Sequence, residues 1–237
     1  MKKIICKLKT CVRDFSTLIY PNVCYCCGAP LVQHEKVLCL KCMVGMPRTH
    51  FHLVPGNPVE QLFWGRVPLE RATVWFLFQK GSRYQNLLHE LKYKGQREIG
   101  TELGCYFAAD LSRVNYFDET DLLVPVPLHP RKERKRGYNQ SLLIASGMAS
   151  VLGKVLVPDA LVRIRYSDTQ TRKGRFERWQ NVSGLFAVRD PSVFEAKHVL
   201  LVDDVITTGS TLEACANKIR ECPGAKVSVA ALAWASV

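Results

Sequence analysis

Nowhere in its 237 residues does the chain hold the run of about 18 apolar residues that a membrane-spanning helix needs. The start, Met1-Lys2-Lys3-Ile4-Ile5-Cys6-Lys7, is broken by charge before a secretory signal's apolar core can form. A cytoplasmic location is therefore expected. No period repeats along the chain, which argues against a solenoid or propeller. A hydrophobic fraction of 47% with 23% charged residues excludes disordered, collagen-like and low-complexity chains. Acidic residues are scarce beside basic ones, 21 against 33, and the net charge is +12. That surplus points to polyanions: nucleic acid, phosphorylated ligands or an acidic membrane surface.

The surplus is unevenly placed. Residues 1–50 carry +6, residues 51–120 are neutral, residues 121–190 carry +7 and residues 191–237 carry −1. Residues 3–19 show helical spacing of Ile4, Ile5, Leu8, Val12, Phe15, Leu18 and Ile19, a basic amphipathic helix that Pro21 stops. Residues 45–70 are rich in Pro and Gly and read as a linker or irregular wrap. Beyond them strands and helices alternate. Strands are expected at 72–78, 122–126, 198–203 and 226–234, with weaker candidates at 161–165 and 185–188. Helices are expected around Tyr84–Leu91, Leu103–Leu111, 139–152 and from about Thr211 to Cys222. The pattern predicts an α/β fold with a mostly parallel sheet and flanking helices over residues 61–237, preceded by a small N-terminal module over 1–60.

Ten cysteines are many for this length, and in a reducing compartment a cluster signals metal rather than disulfides. Cys24-x2-Cys27 and Cys39-x2-Cys42 supply two thiolate pairs on two tight turns, the ligand set of a closed, structural Zn²⁺ site. Gly28 suits the positive φ that such a turn needs. Cys26 is then a spare, and His50 and His52 are alternative ligands that four thiolates make unnecessary. Cys6, Cys11, Cys105, Cys215 and Cys222 are expected to pack as small hydrophobes.

The most informative segment runs from Val199 to Thr211. An apolar strand is expected to end in Asp203 and Asp204; a loop of Thr207, Thr208, Gly209, Ser210 and Thr211 then opens a helix. Loop amides and a helix N-terminus hold a phosphate, and Gly209 allows close approach. The two carboxylates suit sugar hydroxyls or a hydrated Mg²⁺. The Gly-Lys-Ser/Thr of a P-loop is missing, which excludes that nucleotide site.

Val202-Asp-Asp-Val-Ile-Thr-Thr-Gly-Ser-Thr211 resembles the phosphoribosyl pyrophosphate (PRPP) signature of type I phosphoribosyltransferases. The whole chain is similar to the ComF family of competence-related proteins. That resemblance rests on the four-cysteine motif, Leu91-Lys-Tyr-Lys-Gly95, Val124-Pro-Val-Pro127, Arg136-Gly-Tyr-Asn-Gln140, the Gln170, Arg178, Asn181 and Phe186 pattern, and the PRPP loop. It implies that Asp203 and Asp204 bind the ribose hydroxyls of PRPP, that residues 207–211 cradle its 5′-phosphate, and that Mg²⁺ accompanies it. It also implies that Val126, Pro127 and Leu128 lie in the pyrophosphate loop. An active enzyme of this type would let a nucleophile displace Mg²⁺-bound pyrophosphate from the anomeric carbon, mainly by positioning and neutralising the leaving group. No residue stands out as a base for an acceptor, so the catalytic residues stay unassigned.

Arg131, Lys132, Arg134, Lys135 and Arg136, with Arg172, Arg175 and Arg178, lie between the two loops in sequence. With Tyr138, Phe176 and Trp179 interleaved, they suit the backbone and bases of single-stranded DNA. The same cations suit pyrophosphate, and a solvated charged loop is the plain alternative. Asn139 is placed to cap the helix that follows. Three functions are compatible with these features. The first is a PRPP-binding protein that handles single-stranded DNA during uptake for natural transformation. The second is an active phosphoribosyltransferase on a small acceptor. The third is a zinc-dependent interaction module for DNA-translocation proteins.

Overall fold

The computed structural model describes residues 22–165 and 184–235. The expected helix over 3–19, Cys6 and Cys11, and the basic and aromatic group Arg172, Arg175, Phe176, Arg178 and Trp179 lie outside the described residues. In chain order the described elements are α1 (Leu40–Val44), α2 (Pro58–Phe63), β1 (Ala72–Leu77), α3 (Arg83–Tyr93), α4 (Arg97–Ser112), β2 (Leu122–Pro125), α5 (Pro130–Arg136), α6 (Gln140–Leu152), β3 (Val155–Leu156), β4 (Leu161–Arg163), β5 (Phe186–Val188), β6 (His198–Ile206), α7 (Ser210–Arg220) and β7 (Lys226–Trp234).

Five strands form one sheet in the order β1-β7-β6-β2-β3, and every pairing in it is parallel. β4 and β5 form a separate antiparallel pair. Both sheet faces are covered, which is why the central strands are mostly apolar on both sides. Leu200, Val202, Ala230 and Leu232 face one side and pack with Leu87 and Leu91 of α3, Leu103 and Phe107 of α4, and Ile144 and Met148 of α6. Val199, Leu201, Val227, Val229 and Ala231 face the other and pack with Val59 and Phe63 of α2 and Leu212, Cys215 and Ile219 of α7. From β2 the chain winds outward through α6 to β3; from β6 it winds the other way through α7 to β7. The ends of β2 and β6 are neighbours, so a crevice opens between them, where such sheets bind ligands.

α4 and α6 approach closely. A Cβ on Gly104 would lie 2.2 Å from the Ile144 carbonyl oxygen, and one on Gly147 would lie 2.0 Å from that of Thr101. These two glycines let the helix backbones touch.

Three expectations change. β6 does not stop at Asp203: it stays paired to β7 through Ile206, opposite Trp234, so the acidic pair lies inside the strand. Residues 45–70, read as irregular, contain α2, whose start is fixed by Asn57 accepting from the amides of Val59 and Glu60. The basic run from Arg131 is helical, with the His129 ring accepting from the Arg131 amide and Gly137 closing the helix at φ +81°.

Candidate functional site

The four expected thiols come together. The sulfurs of Cys24, Cys27, Cys39 and Cys42 all lie within 4.8 Å of one another. Cys27 and Cys39 are 3.7 Å apart, close to the ~3.8 Å between sulfurs of a tetrahedral Zn–S site with ~2.3 Å bonds. The first turn closes through the Gly28 amide donating to the Cys24 carbonyl, with Gly28 at φ +74° as its position requires. The second begins α1, with Cys39 as its N-cap and Cys42 one turn on. The backbone of Ala29 helps hold the Cys27 thiol down to about 7, which favours the thiolate. Cys26 is buried outside this set, and desolvation pushes its thiol up to about 11. His50 and His52 flank Phe51 elsewhere and are not in the cluster. The donor set fits a structural Zn²⁺ with no position left for substrate.

The second site is the crevice. Asp203 is half-buried. Its carboxylate accepts from the Ser141 hydroxyl of α6 at 2.9 Å and from the Asp204 amide at 2.8 Å. Desolvation first, then the charge of Asp204, pushes Asp203 up to about 7, against the pull of those two hydrogen bonds and of Lys92. Asp204 pairs with the Lys92 ammonium at 2.9 Å. Lys92 comes from the last turn of α3, so a cation already faces the acidic pair.

The loop after β6 leads into α7 through Gly209, which is buried at φ +73° and serves as the N-cap. The Thr208 and Ser210 hydroxyls are 3.0 Å apart, and α7 begins at Ser210. An eleven-residue helix thus aims its N-terminus, with its partial positive charge, at the mouth of this loop.

Across the crevice, the Val126 amide donates to the Val202 carbonyl at 2.9 Å, so the segment 126–128 begins beside the acidic strand. Asn139 caps α6 by accepting from the Ser141 amide and donates to the Val126 carbonyl at 3.0 Å. One side chain therefore fixes both the helix start and the loop. α5 starts two residues beyond Leu128. Arg131, Arg134 and Lys135 are exposed on it, while Arg136 binds Gln140 at 2.9 Å and lies over the Tyr93 ring. At the base of the β4–β5 pair, the Arg163 guanidinium lies over the Phe186 ring; burial lowers its affinity for the proton, and Cys215 and then Asp203 partly restore it.

Asp203, Asp204 and residues 207–211 therefore follow one another along the end of β6 and into α7, and segment 126–128 starts beside Val202 of the same strand. Lys92, Ser141 and Arg163 join them without having been assigned from sequence. The Leu91-Lys-Tyr-Lys-Gly95 motif was the one signal that pointed at Lys92.

A family model described as a phosphoribosyl transferase domain matches residues 139–235, the stretch from α6 to β7. "DNA utilization protein YhgH" of Escherichia coli K12 is 28% identical over 229 residues, covering 90% of this chain and 96% of that protein. "Competence protein F" of Haemophilus influenzae is 28% identical over 214 residues, covering 89% and 85% respectively. "Competence protein ComFC" of Bacillus subtilis is 28% identical over 229 residues, covering 92% and 90%.

Proposed function

Because the chain is a ComF-family protein carrying a phosphoribosyltransferase domain, we propose that it acts in the uptake or use of DNA and does so with a PRPP-type sugar phosphate bound in the β2–β6 crevice. The observation that carries this reading is the acidic pair Asp203–Asp204 set one short loop before a glycine-capped helix N-terminus. A ribose with vicinal hydroxyls and a 5′-phosphate offers groups complementary to each of these two features. The carboxylates accept from the hydroxyls. The loop amides and the hydroxyls of Thr207, Thr208, Ser210 and Thr211 donate to the phosphate. Bound Mg²⁺ would neutralise the pyrophosphate, and the acidic pair and segment 126–128 are the groups placed to orient it. Four thiolates would hold Zn²⁺ as a brace for the N-terminal module.

Single-stranded DNA is the macromolecular ligand in this reading. Exposed Arg131, Arg134 and Lys135 follow directly on segment 126–128 and present a cationic helix face beside the crevice. Phosphates released from their counterions would bind there, with affinity falling steeply as salt rises.

Calorimetric titration tests both halves. Wild-type protein is expected to bind Mg²⁺·PRPP, and Asp204→Asn is expected to lose at least tenfold in affinity. Oligothymidine is expected to bind with a salt slope that Arg131→Gln/Arg134→Gln/Lys135→Gln reduces. No heat from PRPP at millimolar concentration sinks the first half, and salt-independent DNA binding sinks the second.

A further inference from the structure

Arg66 lies just beyond α2, far from the acidic pair in sequence, yet it holds the phosphate loop from behind. Its Nη1 donates to the Thr208 carbonyl at 2.9 Å and to the Leu62 carbonyl at 3.1 Å. Its Nε donates to the Glu213 carboxylate at 3.0 Å, and Nη2 donates to the same oxygen. Glu213 belongs to the first turn of α7, and its side chain is only 8% exposed. One guanidinium therefore joins the loop to the helix whose N-terminus completes it.

Phe63 and Leu62 complete the backing. A Cβ on Gly209 would meet Phe63 Cε1 at 2.9 Å and Leu62 Cδ2 at 3.1 Å, so the ring lies flush against the loop backbone. The guanidinium itself lies 5.9 Å from the centre of the Phe63 ring. α2 cannot drift, because the buried Asn57 that caps it also donates to the Ala72 carbonyl at 2.9 Å, at the start of β1.

In a trans peptide the carbonyl and the following N–H point in opposite directions. With the Thr208 carbonyl turned to Arg66, the Gly209 N–H is turned away from it, to the side left for a ligand. We propose that Arg66 is a positioning residue for the phosphate loop: it sets the Thr208–Gly209 peptide so that the loop presents N–H donors to the 5′-phosphate monoester. The proposal rests on the reading of 207–211 as a phosphate cradle. It makes a distinction that general loosening of the fold does not, because among the described residues no hydrogen bond or ion pair joins Arg66 to segment 126–128.

The test titrates ribose 5-phosphate and Mg²⁺·pyrophosphate separately into wild type, Arg66→Met and Arg66→Lys, with thermal melts to establish folding. Arg66→Met is expected to lose at least tenfold in affinity for ribose 5-phosphate while its pyrophosphate affinity stays within about twofold. Arg66→Lys, which keeps a donor, is expected to recover part of the loss and carries the measurement if the Met variant fails to fold. Unchanged ribose 5-phosphate affinity in a folded variant overturns the proposal, as does an equal loss for both ligands. Wild type that fails to bind ribose 5-phosphate overturns the phosphate-cradle reading and the proposal with it.

Discussion

Asp203 answers to two opposed requirements. The proposed ribose contact needs it ionised, yet burial first and then the charge of Asp204 raise it from an ordinary 3.8 to about 7. The folded protein therefore holds this proton more tightly than the unfolded chain. Without ligand, the contribution of Asp203 to stability falls as pH rises from about 4 to about 7. Asp203→Asn is expected to stabilise the ligand-free protein at pH 8 by about 1–3 kcal/mol, a gain that shrinks to nothing near pH 4. Thermal melts across that range check it. The same substitution should weaken PRPP binding at pH 8, so stability and affinity move in opposite directions. Wild-type affinity should itself decline as pH drops below about 7.

Among the elements, the α4–α6 contact is the least forgiving. A methyl at Gly147 would press on the Thr101 carbonyl oxygen and, at 2.9 Å, on the Cys105 amide nitrogen, backbone atoms that cannot turn aside. Gly147→Ala is expected to cost about 2–3 kcal/mol, read as a lower urea midpoint with an unchanged slope. Because α6 also carries Asn139 and Ser141 at its start, the shift should weaken ligand binding too. The long elements were legible in the sequence because periodicity and burial coincide in them: α3 shows Tyr84, Leu87, Leu88 and Leu91 on its buried face, and β6 carries the apolar run Val199–Val202. The end of β6 was not legible. Two charges looked like a strand exit, but pairing with Ala231, Ala233 and Trp234 of β7 carries the backbone past them. α2 and α5 were missed because each is short and rich in proline or charge, although Asn57-Pro58 and His129-Pro130 were available as start signals. The pairs Lys92–Asp204 and Ser141–Asp203 join separate elements, the second across 62 positions, and no local pattern encodes such a meeting.

At the scale of the whole molecule, the cysteine module shares a core with the sheet. Cys24, Val37, Leu38, Cys42 and Met46 belong to the same buried cluster as Trp75, Phe76, Tyr84 and Leu87. Tyr84 donates to the Cys42 carbonyl at 3.0 Å, Tyr25 donates to Glu98 at 2.9 Å, and Asp110 accepts from both Arg48 and Trp75. Removing metal should therefore unsettle the α/β part as well. Calorimetry with a zinc chelator is expected to show a single transition lowered by roughly 5–15 °C, and Cys42→Ser should do the same. A small separate transition beside an unmoved main one would instead mark the module as an independent unit.

The backing of the phosphate loop by α2 also bears on how portable the site is. Residues 139–235 match a phosphoribosyl transferase domain and contain the acidic pair and the loop, but not Phe63 or Arg66. Transplanted alone, that stretch would keep the signature and lose the surface against which its loop is moulded. The motif can be copied as a string of ten letters; the cradle is inherited only with the chain that precedes it.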